Sequence, residues 1–309
     1  MALVSVTNLN KRAGGKWVLW DVSLEVGAGE ILGIFGRSDS GKTTLARILA
    51  GLDEPSSGSV ALGDGDEAPP FHVSLAASSP ASAPELTVYE NLNMFASLWG
   101  VPRRRRVKEI TFLLGLLGLS DQRSTRAARL SSGAARRMEI ARALAADSPL
   151  TLIDSLLDTL DPETREKLWD YLLALRRDEG KSFIVMTSVS RVAELCGRMA
   201  VIHRGRIGFV GSPDDFRRLA GEDLVVLGDV SNPALRNRIQ ERLSVLIEEQ
   251  EGFLSFKVAN GERMVSDLLA EFGSDVGCVY LKRPTLDDAL NVLASSGSTV
   301  AAGASQRGR

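Results

Sequence analysis

Cysteine and histidine are both scarce in this chain, two of each in 309 residues, and the scarcity closes off several chemistries. Cys196 and Cys278 lie in different segments without metal-ligand spacing, and they read as core thiols of a reducing compartment. His72 and His203 adjoin strand-like runs and read as structural. Excess charge of either sign is also missing. A formal net charge of −2 and a pI near 5.9 give no bulk attraction to nucleic acid or to anionic lipid. The one dense basic run, Arg103 to Arg106, follows Gly100-Val101-Pro102 and reads as a solvated helix start. Long apolar runs are absent too: Ile31–Phe35 and 112–119 fall well short of the ~18 residues that a bilayer span requires. Met1 to Thr7 lacks the basic and apolar regions of a signal peptide, so the expected location is the cytoplasm.

What is present is a globular composition, 44% hydrophobic and 25% charged, ordered as alternating strands and helices. Residues 4–9, 21–26 and 31–35 read as strands parted by Gly-rich turns. The third strand runs into Gly36-Arg37-Ser38-Asp39-Ser40-Gly41-Lys42-Thr43-Thr44, after which 42–49 carries helical apolar spacing. Strand, glycine loop and helix in that order are the context that makes Gly-x4-Gly-Lys-Thr a phosphate cradle. Glycines let backbone N–H groups approach phosphate oxygens, Lys42 brings a positive charge, and Thr43 offers an oxygen to Mg²⁺. Asp39 is the odd member, because a carboxylate about 5 Å from a phosphate charge costs about 3 kcal/mol at an effective dielectric constant of 20.

Downstream, 80–130 reads as a helical insert, and Ser131 can cap a helix that begins near Ala134. A short strand ends at Asp154, a metal-holding carboxylate, and the next residue is Ser155. A helix from Pro162 and strands at 183–186 and 199–202 follow, the alternation of a mostly parallel sheet. The texture shifts near Gly221. The runs 224–227, 253–258 and 276–281 are strand-like, each followed by a helix-like run, which gives a small α+β domain over 222–294 and a Gly-, Ser- and Ala-rich tail over 295–309 expected to be disordered.

With the glycine loop, Leu130-Ser131-Ser132-Gly133 before a helix, Asp154 closing a strand, and Thr159-Leu160-Asp161-Pro162 after it, residues 1–221 resemble an ATP-binding cassette (ABC) transporter ATPase. The resemblance implies an α/β P-loop cassette, with a mostly parallel sheet, an antiparallel β subdomain and a helical insert. It implies ATP and Mg²⁺ as cofactors. It also implies a head-to-tail dimer in which each nucleotide lies between one subunit's glycine loop and the other's signature segment. Carried over position by position, Gly36 to Thr44 would hold the phosphates, and Thr43 and Asp154 the metal. Ser131 and the N–H of Gly133 would grip the γ-phosphate bound by a partner; taken alone, the same segment is an ordinary capped helix start.

The family's catalytic groups are missing from their positions. The general-base Glu falls on Ser155, the Mg²⁺-binding Gln on Ser78, and the switch His on 187–189, nearest Val189, depending on a gap. The adenine-stacking aromatic falls on Ala13; Trp17 could substitute if its loop bends back, or else pack in the sheet. Asp158 is the one carboxylate close after Ser155 and is expected to lie too far along its loop to serve as a base. A positioned base contributes roughly 10²- to 10⁴-fold in rate, so binding is expected to outlast hydrolysis.

Lys282-Arg283-Pro284-Thr285-Leu286-Asp287-Asp288 is similar to the tail of the daunorubicin-resistance exporter ATPases, which implies a dimerising or regulatory appendage and an integral membrane subunit. The amphipathic run 86–99 suits docking to that subunit. The expectation is therefore an exporter-type nucleotide-binding subunit, peripheral on the inner face of the membrane, paired as a hetero-dimer with a competent ATPase and without nucleic-acid contact. Two alternatives stay open: an ATP-sensing scaffold homodimer, and a low-turnover homodimeric exporter ATPase.

Overall fold

The computed structural model describes residues 2–63, 73–77, 82–230, 235–243, 245–250, 253–273 and 275–296. Compact packing divides the chain between Pro213 and Asp214.

In the first unit, β1 (Ala2–Ala13) and β2 (Lys16–Gly27) form an antiparallel hairpin. With β4 (Ser57–Leu62) they make a three-stranded sheet in the order β2-β1-β4. The second sheet has six strands in the order β5-β6-β7-β3-β8-β9. They are β3 (Ile31–Phe35), β5 (Val73–Ala76), β6 (Leu150–Asp154), β7 (Ser182–Thr187), β8 (Arg198–His203) and β9 (Arg206–Gly211). All neighbours run parallel except β8 and β9. Both faces are covered, which accounts for strands that are apolar almost throughout rather than alternating. One face packs Leu32, Ile34, Leu152 and Ile184 against the antiparallel sheet and helix α1 (Lys42–Leu49). The other packs Ile153, Phe183 and Val185 against helices α2 (Val88–Leu98), α3 (Arg103–Leu116), α4 (Ser132–Leu144) and α5 (Pro162–Glu179).

The helix ends are set by capping chemistry. Thr87 and Glu90 form a reciprocal capping box on α2. Asp161 accepts from Thr164 N (2.9 Å) ahead of Pro162, and Gly180, at φ 67°, closes α5. Short helix α6 (Ser190–Glu194) follows β7, and α7 (Pro213–Arg217) spans the division between the units.

The second unit holds β10 (Asp223–Val230), α8 (Leu235–Leu243), β11 (Glu248–Gln250), β12 (Phe253–Val258), α9 (Gly261–Phe272), β13 (Val276–Lys282) and α10 (Leu286–Ser296). Its antiparallel sheet runs β11-β12-β10-β13, the split βαβ pattern of ferredoxin-like folds. Val225, Leu227, Leu254 and Phe256 face α8 and α9 across one core.

Strands β4, β9 and β11 are additions to the sequence reading. Ser57-Gly58-Ser59 resembles a turn, and β9 and β11 are short strands held by pairing to a neighbour rather than by their own composition. The tail reading over 295–309 meets α10 up to Ser296; the remainder, with Ser78 and His72, lies outside the described residues.

Candidate triphosphate-binding site

The loop between β3 and α1 is shaped by close approach. A Cβ on Gly36 would lie 2.3 Å from Ile202 O, and one on Gly41 2.7 Å from Leu19 and 2.9 Å from Val18 O. Gly41 also sits at φ 106°, a conformation that L side chains rarely adopt. Ser40 is buried beneath the loop, where its carbonyl accepts from Gly205 N (3.0 Å). Asp39 takes φ 62°, which its short side chain tolerates. Lys42 is buried, and its Nζ donates to the carbonyls of Gly36 and Arg37, both at 2.7 Å. Burial pushes the Lys42 ammonium down from its ordinary value, while Asp154, Asp158 and Asp39 draw it up.

Helix α1 starts at Lys42 with no side-chain cap and no acidic residue in its first turn. Its leading N–H groups are therefore donors without a local side-chain acceptor at the positive end of a helix, the arrangement that binds phosphate. A cavity of about 510 Å³ opens there, lined by Val18, Ser38, Asp39, Gly41, Lys42, Thr43, Thr44, Asp154, Ser155 and Ser188. Cation, hydroxyl and carboxylate converge as a Mg-triphosphate requires, so the residues fit the group. The loop N–H groups and Lys42 would hold the phosphates, and Thr43 with Asp154 the metal, which when bound offsets the phosphate charge.

The cavity lining also carries the hydroxyls of Ser155 and Ser188. Ser155 leaves β6 at φ 58°, its N–H donating to Met186 O (2.9 Å) and its Oγ to Asp154 Oδ1 (3.2 Å). Among the described residues, Asp39 and Asp154 are the carboxylates lining the cavity. Of 187–189, the residue that lines the cavity is Ser188. Thr187 is fully buried at the end of β7, and Val189 packs against the helical core. Asp158, placed too far along its loop by spacing alone, is returned by a 3₁₀ turn (Leu157–Thr159) to the foot of β7. There it accepts from Ser188 N (3.0 Å), from Ser188 Oγ (3.2 Å) and from Thr187 Oγ1. Spacing along one segment could not reveal that bond, because β6 and β7 meet only in the sheet.

Trp17, the alternative adenine platform, is half exposed and engaged with neighbouring side chains. Val18 lines the cavity and Trp17 does not. The Trp17 indole lies 5.4 Å from the Trp20 ring with the Arg12 guanidinium 4.8 Å over it. Ser131 and Gly133 are also apart from this cavity: Ser131 Oγ caps α4 by accepting from Ala134 N (3.3 Å), and Gly133 is exposed.

A family model described as ABC transporter matches residues 19–157. Methionine import ATP-binding protein MetN 1 of Burkholderia pseudomallei (strain 1710b) is 32% identical over 272 residues, which cover 78% of this chain and 76% of that protein. The chain belongs to the ABC transporter family. Among solved structures, an ATP-binding subunit of an ABC transporter is 27% identical with a TM-score of 0.63, covering 71% of this chain and 93% of its own. The ATP-binding cassette MJ0796, solved as a dimer in a post-hydrolysis state bound to ADP and Pi, is 26% identical with a TM-score of 0.61, covering 68% and 98%. The fold is thus the P-loop ABC cassette, and ATP with Mg²⁺ is the cofactor pair of this ABC family. The curated relative is an import protein, so the expected likeness to daunorubicin-resistance exporters gains no support from it. Among the described residues, no helix is long and apolar enough to cross a membrane.

Proposed function

We propose that this chain is the nucleotide-binding subunit of a bacterial ABC transporter whose own site holds Mg-ATP and hydrolyses it poorly. The observation that carries this reading is the cavity itself: Lys42, Thr43 and Asp154 converge in it, while serines stand at 155 and 188 where base and switch groups would be. A hydroxyl can hold water but, with no carboxylate behind it to accept its own proton, cannot take the water's proton near neutral pH. Losses among residues that act as a unit do not simply add, so these departures silence one site rather than several steps.

Transport then depends on a second, competent cassette, which would use Ser131 and Gly133 of this chain against its own nucleotide. A hetero-dimer is favoured on that ground, seated on an integral membrane subunit at the inner face of the membrane. The named relative imports methionine, which favours uptake over the export suggested by 282–288. The second unit, from about residue 222, would be a dimerising or regulatory appendage.

The test compares Mg-ATP affinity and turnover in the full chain and two variants. Lys42→Ala is expected to weaken binding at least ~10-fold, because it removes a buried cation from the phosphates. Ser155→Ala is expected to leave affinity and the slow turnover within about 2-fold, since no proton transfer is assigned to that hydroxyl. Fast Mg²⁺-dependent hydrolysis that depends on Lys42 would refute the reading.

A further inference from the structure

Of the hydroxyl residues that line the cavity, Ser155 and Ser188 each donate to a carboxylate, but the two carboxylates are not equivalent. Ser155 Oγ is bonded to Asp154, which closes β6 and whose oxygens would be committed to the metal. Ser188 Oγ is bonded to Asp158, which does not line the cavity and has no metal duty. Asp158 is fixed from three directions, by the hydroxyl of buried Thr187 and by both the N–H and the hydroxyl of Ser188. It is also near enough to Lys42 to act on its charge. A serine hydroxyl carries one proton and two lone pairs. With the proton turned toward Asp158, the lone pairs remain for a water on the cavity side.

We propose that the Ser188 hydroxyl, backed by Asp158, is the water-holding group of this site and carries the slow turnover that the site retains. The inference rests on the reading of a nucleotide site that binds better than it hydrolyses. Water oxygen bonds to the γ-phosphorus as the bond from that phosphorus to the bridging oxygen of ADP breaks. The water proton passes to Ser188 Oγ while the Ser188 proton passes to Asp158 Oδ2, and Asp158 afterwards returns it to solvent. ADP and phosphate are the products. Ser188 touches the water, whereas Asp158 acts through Ser188 and is a positioning residue. Such a relay is slower than a direct carboxylate because two protons must move together.

The experiment measures single-turnover and steady-state hydrolysis of saturating Mg-ATP by the full chain, together with nucleotide affinity. Wild type is expected to turn over slowly but above Lys42→Ala. Asp158→Asn and Ser188→Ala are each expected to lower the rate constant at least ~10-fold while affinity stays within about 3-fold. Asp158→Glu, which keeps the carboxylate, is expected to retain part of the rate. A split between rate and affinity separates positioning from a merely structural role, which would move both. If Asp158→Asn does not fold, Ser188→Ala decides, since that position is exposed and loses one oxygen. The proposal is overturned if Ser188→Ala or folded Asp158→Asn turns over at the wild-type rate. It is equally overturned if wild type is no faster than Lys42→Ala. Both results leave the reading of retained binding with poor hydrolysis in place. That broader reading fails on a different result, a wild-type rate near the ~10 s⁻¹ typical of enzymes.

Discussion

Trp17 and Ala13 make opposite predictions about nucleotide affinity. Trp17 is engaged with Trp20 and Arg12 and does not line the cavity, so Trp17→Ala is expected to change Mg-ATP affinity by less than about 2-fold. Ala13 ends β1 and, on the expectation from the sequence, takes the place of a stacking aromatic. Ala13→Tyr is expected to tighten binding by about 1 to 3 kcal/mol, the value of one base stacked on an aromatic platform. Isothermal titration of both variants checks the pair. A loss on Trp17→Ala matching the gain expected at Ala13 would place the adenine on Trp17. The glycine loop was legible residue by residue because its chemistry is local. The Ser188–Asp158 bond was not, because Thr187, Ser188 and Asp158 come from two turns that the sheet alone brings together.

Helix α4 is tied to the edge of the six-stranded sheet by a buried pair. Arg142 donates to Glu139 Oε2 (2.9 Å) and to Leu75 O (3.0 Å), and its guanidinium lies 4.1 Å over the Phe95 ring of α2. Both charged side chains are almost wholly buried. Removing the cation breaks a buried ion pair, so Arg142→Met is expected to cost about 3 to 5 kcal/mol. In thermal melts that corresponds to a Tm loss on the order of 10 °C. Pairing it with Glu139→Leu is expected to recover much of the loss, whereas equal losses in the single and double variants would show that Arg142 acts through Leu75 and Phe95 alone. Element reading worked best where apolar runs were long: α1 and β12 fall at their expected bounds, and β3 does too. It failed at β4, where Ser and Gly hide a strand that exists because β1 pairs with it.

The chain holds two compact units, and the first carries the cavity at Lys42. The cassette supplies a nucleotide grip on one side and a capped, exposed signature helix start at Ser131 elsewhere, and the proposed hetero-dimer joins each to a complementary half on a partner. Size-exclusion chromatography with light scattering should show the full chain associating with a Glu-bearing cassette in the presence of Mg-ATP. A stable homodimer that excludes such a partner would instead favour the scaffold reading. The most direct measurement is the fate of radiolabelled ATP bound to the full chain with Mg²⁺, followed by rapid filtration and separation of products. Retained binding with lost hydrolysis predicts that the label stays on the protein and is recovered mainly as ATP over many minutes. Recovery as ADP and phosphate within about a second, at rates near ~10 s⁻¹, would contradict it.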